Sequence, residues 1–373
     1  MKVGIPRETR PGESRVAATP ETVKKLSVKG LAVIVQESAG MAAHYTDEAY
    51  RDAGAEIVNA ANALGADIVL KVQKPTKDEI KRLKKGGMLV AFLDPCAKDD
   101  TLDKLAAAGV SGFAVEMVPR ISRAQNVDGL SSQANIAGYR ATLEAARLYG
   151  NFFPMMMTAA GSAKPAKLMV LGAGVAGLQA IATARRLGAQ VFAFDVRPEV
   201  KEEIMSLGGK FVELDLGESG AGTGGYAKQL SQDAQARQRE LLADEMKKMD
   251  IVISTALIPC KPAPVLITED AVKAMRAGAV IVDMAAASGG NCPLSEEDKT
   301  VVKHDVTICG ITNFPALIPT DASSFYARNL FNFLTLLLKE EDGKATLRDY
   351  AEDEITAASL ATHNGAVHFQ RPN

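Results

Sequence analysis

Cysteine and histidine are both scarce, at 4 each in 373 residues, and there is no tryptophan. Cys96, Cys260, Cys292 and Cys309 lie far apart and form no CxxC or Cys/His cluster, which argues against a disulfide framework or a metal site and predicts small buried thiols. His44, His304, His363 and His368 fall near a domain surface, ahead of a strand or in the tail, and read as structural or exposed. Charge of one sign is lacking too: 43 Lys and Arg against 45 Asp and Glu leave a net charge of -2. That balance offers no electrostatic case for nucleic acid or an anionic membrane. Long apolar runs are missing as well. The start, "MKVGIPRETRPGESR", carries charge where a signal peptide needs hydrophobicity, and no window reaches the roughly 18 apolar residues of a spanning helix. A cytosolic chain without membrane insertion of its own is expected.

What the chain does have is alternation. Short runs rich in Val, Ile and Leu ("KVGIP", "LAVIVQE", "DIVLKV", "MLVAFL", "VSGFAVE") alternate with charged helical segments, among them "PETVKKL", which Thr19 caps and Pro20 opens. After a long helical segment from Ser132 to about Tyr149, a second series follows: "KLMVLGAGVAG", "QVFAFD", "KFVEL", "DIVISTAL", "AVIVDMA" and "VTICGITNFP". This pattern predicts an α/β protein of two Rossmann-like domains with mostly parallel sheets, joined by long helices. The expected division is residues 1–131 plus about 327–373, packed together through a C-terminal helix, against 132–326 as the nucleotide-binding domain.

The second series opens with a glycine fingerprint in the right context: an apolar strand, then Gly172, Gly174 and Gly177, a helix to Leu187, and a second strand ending in Asp195. Gly172 permits a tight turn, Gly174 lets the backbone approach a pyrophosphate, and Gly177 lets helix and strand pack closely. Asp195 is placed to accept ribose hydroxyls and repels a 2'-phosphate, so NAD(H) is expected over NADP(H), although Arg197 nearby could receive that phosphate. Cofactor contacts are assigned to Gly172, Ala173, Gly174, Val175, Ala176 and Gly177, to Asp195, Val196 and Arg197, and to Ala256 and Leu257. Further contacts are assigned to Ser132, Gln133, Gly225 and Tyr226.

Three other stretches stand out. "LGESGAGTGGYAK" is too rich in glycine to hold one conformation cheaply, which suggests a mobile lid over 217–226 with Tyr226 as its cover; a plain surface linker is the bland alternative. "NFFPMMMTAAG" reads either as a projecting hairpin serving a dimer or as core packing. "PRISRAQNVDGLSSQ" concentrates hydrogen-bonding side chains ahead of the long helix, more than a connecting loop requires.

The combination "RISRAQNVDGLSSQANIAGYRA", "FPMMMTAAG", "GAGVAGLQAIATARRLGA", "GGYAK", "TALIPCKPAPVLI" and "GGNCPLSE" resembles the NAD(H)-binding component, domain I, of proton-translocating NAD(P) transhydrogenase, a family sharing its fold with alanine dehydrogenase. The resemblance runs over essentially the whole chain. It implies a homodimer that holds NADH and passes a hydride directly to NADP+ on a separate domain III, coupled to proton movement through a membrane domain. Because the chain ends at Asn373 without a hydrophobic span, those other parts are expected on partner subunits, with this chain peripheral at the inner (plasma) membrane. The resemblance assigns Arg120, Gln125, Asp128 and Ser131 to the surroundings of the nicotinamide. Their chemistry suits that role: an Arg120–Asp128 pair could fix the loop, Gln125 offers donor and acceptor, and Ser131 can bond the carboxamide. Hydride transfer between two nicotinamides needs positioning and no general acid or base.

Two rivals are weighed. An alanine-type dehydrogenase would share "GIPRETRPGESRVAATP" and "LKVQKP", with Arg15 and Lys71 matching its substrate-binding residues. Its catalytic histidine and aspartate, however, are replaced by Leu93 and Ala286, leaving nothing to move protons or activate water. An NAD sensor without chemistry of its own would have no need to order the nicotinamide.

Overall fold

In the computed structural model, which describes residues 1–220, 230–341 and 344–370, the chain divides into two compact units. One is Met1–Gln133 with Pro315–Asn373, the other Ala134–Phe314.

The first unit is built on six parallel strands: β1 (Lys2–Ile5), β2 (Ala32–Gln36), β3 (Glu56–Val58), β4 (Ile68–Leu70), β5 (Met88–Ala91) and β6 (Ser111–Ala114), in the order β3-β2-β1-β4-β5-β6. Their interiors are almost wholly buried, as expected for strands covered by helices on both faces. Strand Leu360–His363 then pairs antiparallel with β6 and carries Ala366–Val367 on its far side. The helix Pro20–Val28 starts at Thr19 as anticipated, with Thr22 completing a reciprocal capping box. Helix Pro319–Leu337 contributes Leu330, Phe333, Leu334 and Leu337 to this unit's core, where Phe113 and Phe333 meet edge to face at 5.5 Å.

The second unit begins in the long helix Gly129–Leu148, which starts three residues earlier than its sequence suggests because Gly129 and Leu130 already follow Asp128 into helical geometry. The "FFPMMM" stretch divides: Phe153 is buried in this unit's core, while the methionines lead into an isolated hairpin, β7 (Met156–Thr158) with β8 (Gly161–Ala163), where Met155 and Met157 are 63% and 75% exposed. The sheet consists of β9 (Lys167–Leu171), β10 (Gln190–Phe194), β11 (Lys210–Phe211), β12 (Ile251–Ser254), β13 (Val280–Asp283), β14 (Thr300–Lys303) and β15 (Val306–Cys309). Its order is β11-β10-β9-β12-β13-β15-β14, parallel except for β14 against β15. β15 is the last strand of this series in chain order, as expected, and the strand read from "KFVEL" shrinks to two residues.

Cys292 and Cys309 are the free, buried thiols anticipated, but Cys96, half-buried, and Cys260, exposed, stand in loops beyond strand ends and are not free thiols, which corrects the expectation of four buried thiols. Among the described residues no helix is long and apolar enough to cross a membrane, and no cluster of His, Cys, Asp or Glu could hold a metal.

Candidate functional site

In the second unit, β9 runs buried to Leu171 and the chain reverses at Gly172, whose φ of +93° is strained for any residue with a side chain. A Cβ on Gly177 would lie 1.9 Å from the Gly172 carbonyl oxygen, so only glycine lets the following helix, Val175–Arg186, start this close to the strand. Gly174 differs: a Cβ there would meet nothing within 4 Å. What the absent side chain leaves at Gly174 is open space, directly before a helix whose N-terminus has no side-chain cap. Uncapped first-turn amides beside an open backbone form a cradle for a pyrophosphate.

Asp195 follows β10 and is nearly buried. Its Oδ2 accepts the Ala173 amide at 2.7 Å, which ties the glycine turn to the end of the neighbouring strand. Its Oδ1 accepts the Arg197 amide and Nε, both at 2.9 Å, and Arg197 Nη2 reaches Oδ2 at 2.8 Å. Arg197 is therefore buried on the carboxylate, its guanidinium engaged with Asp195. Val196 packs on Gly220, whose amide donates to the Val196 carbonyl at 3.0 Å. From there the glycine-rich segment, with Gly225 and Tyr226, lies outside the described residues, and so does the lid expected of it.

Three residues that sequence reading missed hold the rest of this turn. Thr255 Oγ1 donates to the Gly172 carbonyl at 2.9 Å. Asn291, fully buried, donates to the carbonyls of Ala256 and Pro264 at 2.9 and 2.8 Å, and its Oδ1 accepts the Ser254 hydroxyl. Asp283 in turn gathers the Ala285, Asn291 and Cys292 amides and the Ser295 hydroxyl. The ends of β9, β12 and β13 are thereby locked together, leaving Leu257 47% exposed beside the turn. The only sequence signal was a polar Asp283 closing an apolar strand and the "GGN" that follows.

In the first unit, the polar loop runs from the end of β6 to the long helix. Asp128 stands just ahead of that helix and accepts the Ser131 amide at 2.8 Å and its hydroxyl at 2.5 Å. Arg120 and Gln125 are exposed, while Ala124 and Val127 beside Gln125 are buried. Ser132 and Gln133, assigned to the cofactor from sequence, are engaged within the unit. The Ser132 hydroxyl reaches Asn329 Oδ1 at 2.7 Å, and Gln133 bridges Arg15 Nη1 (2.8 Å) and the Ala322 carbonyl (3.0 Å).

Arg15 and Lys71 are buried and matched by carboxylates. Glu13 grips Arg15 through both oxygens, and Lys71 lies 3.1 Å from both Glu8 and Glu79. Burial alone would raise the Glu13 carboxyl, yet the Arg15 guanidinium holds it down at about 2. Burial likewise opposes charge on Lys71, and Glu8 and Glu79 outweigh it. At Leu93 the side chain is fully buried, and its amide, with that of Asp94, donates to Glu116, whose burial pushes its carboxyl up to about 7. Ala286 stands in a short 3-10 turn and offers no side-chain chemistry.

A buried parallel strand, a glycine turn with an open cradle, a helix and a carboxylate closing the next strand define a Rossmann-type dinucleotide-binding protein of the two-unit dehydrogenase kind. Sequence comparisons agree and go further. Residues 4–137 match the N-terminal domain of Alanine dehydrogenase/PNT and residues 141–370 its C-terminal domain. The chain belongs to the alanine dehydrogenase/PNT family. It is 49% identical to the first part of NAD(P) transhydrogenase subunit alpha of Rhodospirillum rubrum, over 98% of this chain and 97% of that protein. It is 32% identical to alanine dehydrogenase of Mycolicibacterium smegmatis, over 98% of this chain and 94% of that one. The solved transhydrogenase structure from Sinorhizobium meliloti superposes with a TM-score of 0.86 at 42% identity, over 99% of both chains.

Proposed function

We propose that this chain is the NAD(H)-binding component of a Re/Si-specific, proton-translocating NAD(P) transhydrogenase, passing hydride directly from NADH to NADP+ held by a separate subunit. The observation that carries this reading is a contrast within the chain. The dinucleotide cradle at Gly174 is open, whereas Leu93 and Ala286, which sequence reading sets against the catalytic histidine and aspartate of an alanine-type dehydrogenase, are hydrocarbon. Similarity to transhydrogenase subunits at 49% identity, against 32% for an alanine dehydrogenase, supports the same choice.

NADH, when bound, supplies the hydride. The first-turn amides of Val175–Arg186 take the pyrophosphate, and Asp195 takes the adenosine ribose by exchanging donors it now receives from Arg197. Gln125 and the Asp128–Ser131 pair hold the nicotinamide carboxamide, and Arg120 completes the polar surround. No residue of this set has to take or give a proton, because the reaction at the ring moves none. The exposed β7–β8 hairpin, with Met155 to Met157 at its start, serves a homodimer, since an isolated two-stranded sheet has little stability of its own. Membrane-spanning and NADP(H)-binding partner subunits carry proton translocation and bring the chain to the membrane surface.

The test is hydride transfer from NADH to an NADP+ analogue, measured with the purified chain with and without a soluble NADP(H)-binding domain of a transhydrogenase. Transfer in the mixture alone is the expected result. A silent mixture, together with reduction of pyruvate by NADH and ammonia by the chain alone, would establish the amino-acid dehydrogenase instead.

A further inference from the structure

The loop assigned to the nicotinamide has a backbone problem. Gln125 and Asn126 are exposed between Ala124 and Val127, which are buried. The Ala124 carbonyl accepts the Val127 amide at 3.0 Å and closes a turn over Gln125 and Asn126, but that bond does not engage the Asn126 carbonyl. The Asn126 carbonyl instead accepts two hydrogen bonds at 3.0 Å, one from Asn329 Nδ2 and one from Asn332 Nδ2. Both amides belong to helix Pro319–Leu337 and, three residues apart, stand on the same face of it. Together they can fill both lone pairs of that oxygen.

Asn329 does more. Its Oδ1 accepts the Ser132 hydroxyl at 2.7 Å, so one buried amide ties the loop on one side and the first turn of the long helix on the other. With Asp128 engaging Ser131, the backbone that follows Asn126 is held as well, and Gln125 is the exposed side chain just before it. Asparagine is a poor helix former. Two of them in the interior of a helix, within "RNLFNFLTLL", both aimed at one carbonyl, serve something other than the helix.

We propose that Asn329 and Asn332 are positioning residues for hydride transfer: without touching the cofactor, they fix the backbone from which Gln125 and Asp128 address the nicotinamide. The proposal rests on the reading that this loop holds that ring.

Asn332→Ala in the full chain is the sharper variant, because Asn329 still supports the carbonyl and the fold. The chain is mixed with a soluble NADP(H)-binding domain, and single-turnover transfer, NADH affinity, melting temperature and amide exchange over residues 122–128 are recorded. Transfer at saturating NADH should fall by about 10-fold or more, as a small displacement of a reacting group allows. Affinity and melting temperature should hold while exchange in the loop quickens, and Asn329→Ala should show the same pattern more strongly. Rate and affinity falling together, or faster exchange with an unchanged rate, would overturn the positioning role. Gln125→Ala separates the two levels. If it slows transfer while Asn332→Ala does not, only the clamp is wrong; if neither does, the assignment of the loop to the nicotinamide falls, and the clamp's role with it.

Discussion

At the C-terminal ends of their parallel strands the two units do opposite things. In the first, the residues beyond β1, β4 and β6 include Glu8, Lys71 and Glu116, which with Glu13, Arg15 and Glu79 form a buried set of titratable side chains engaged with one another or with nearby backbone. In the second, the residues beyond β9, β10, β12 and β13 are Gly172, Asp195, Thr255 and Met284, and the polar groups there chiefly tie backbone together around an open turn. Ligands of open α/β sheets bind at this end of the strands. One end keeps its space and can take a dinucleotide; the other has filled the corresponding place with its own charges.

The largest expected effect on binding tests the open end. Gly177→Ala sets a methyl carbon against the Gly172 carbonyl, and since the partner is backbone, the turn must move. NADH binding should weaken by on the order of 100-fold or more, about 2.7 kcal/mol, read by titration calorimetry. The sign is informative, because alanine is the better helix former by about 1 kcal/mol. Gly174→Ala sharpens the point. It meets nothing in the protein, so melting should be unchanged while NADH affinity drops. Unchanged affinity would mean that the pyrophosphate does not lie over Gly174.

How much of this was legible beforehand follows from the kind of force involved. The glycine turn could be read because exclusion of a Cβ is a local, backbone-level demand that leaves its mark in residue type and spacing. The buried strands were visible for a similar reason, as short β-branched runs. β3 was not: "EIV" is short and only half-buried. Leu360–His363 was missed because it follows directly on the helix Glu354–Ser359, with no turn residue between them. The lock of Asp283 and Asn291 on the turn, and the hold of Asn329 and Asn332 on a carbonyl 203 and 206 residues away, depend on which chains the fold brings together. The charge pairing of Arg15 and Lys71 was equally invisible. Sequence reading matched them to the substrate-binding residues of an alanine-type dehydrogenase, and only the neighbouring glutamates show the charges already answered.

The filled end should respond in stability rather than affinity. Lys71 is 1% exposed between Glu8 and Glu79, so Lys71→Met strands two carboxylates in the interior. A loss of about 3–5 kcal/mol is expected, the usual consequence of removing one partner from a buried ion group. Denaturant unfolding measures it, with NADH affinity of the still-folded protein little changed. A small loss would show that water reaches these carboxylates, and the contrast between the two ends would weaken.

The last effect comes from Glu116, and its sign is opposite to that of Glu13. Burial raises this carboxyl to about 7 against a usual 4.5, even though the Leu93 and Asp94 amides favour its ionised form. Between those two values the unfolded chain has released the proton while the folded chain still holds it. Stability contributed by Glu116 is therefore complete below 4.5 and is lost as pH rises through about 7, by on the order of 2–3 kcal/mol. Glu13 runs the other way: held at about 2, it contributes above 4.5 and that contribution is lost as pH falls through about 2. Glu116→Gln has no proton to lose, so its unfolding free energy should be flatter across pH 4.5 to 7 than that of the parent chain, while the acid limb set by Glu13 stays. If the slope survives the substitution, Glu116 is already ionised in the fold. The amides of Leu93 and Asp94 would then be holding a carboxylate.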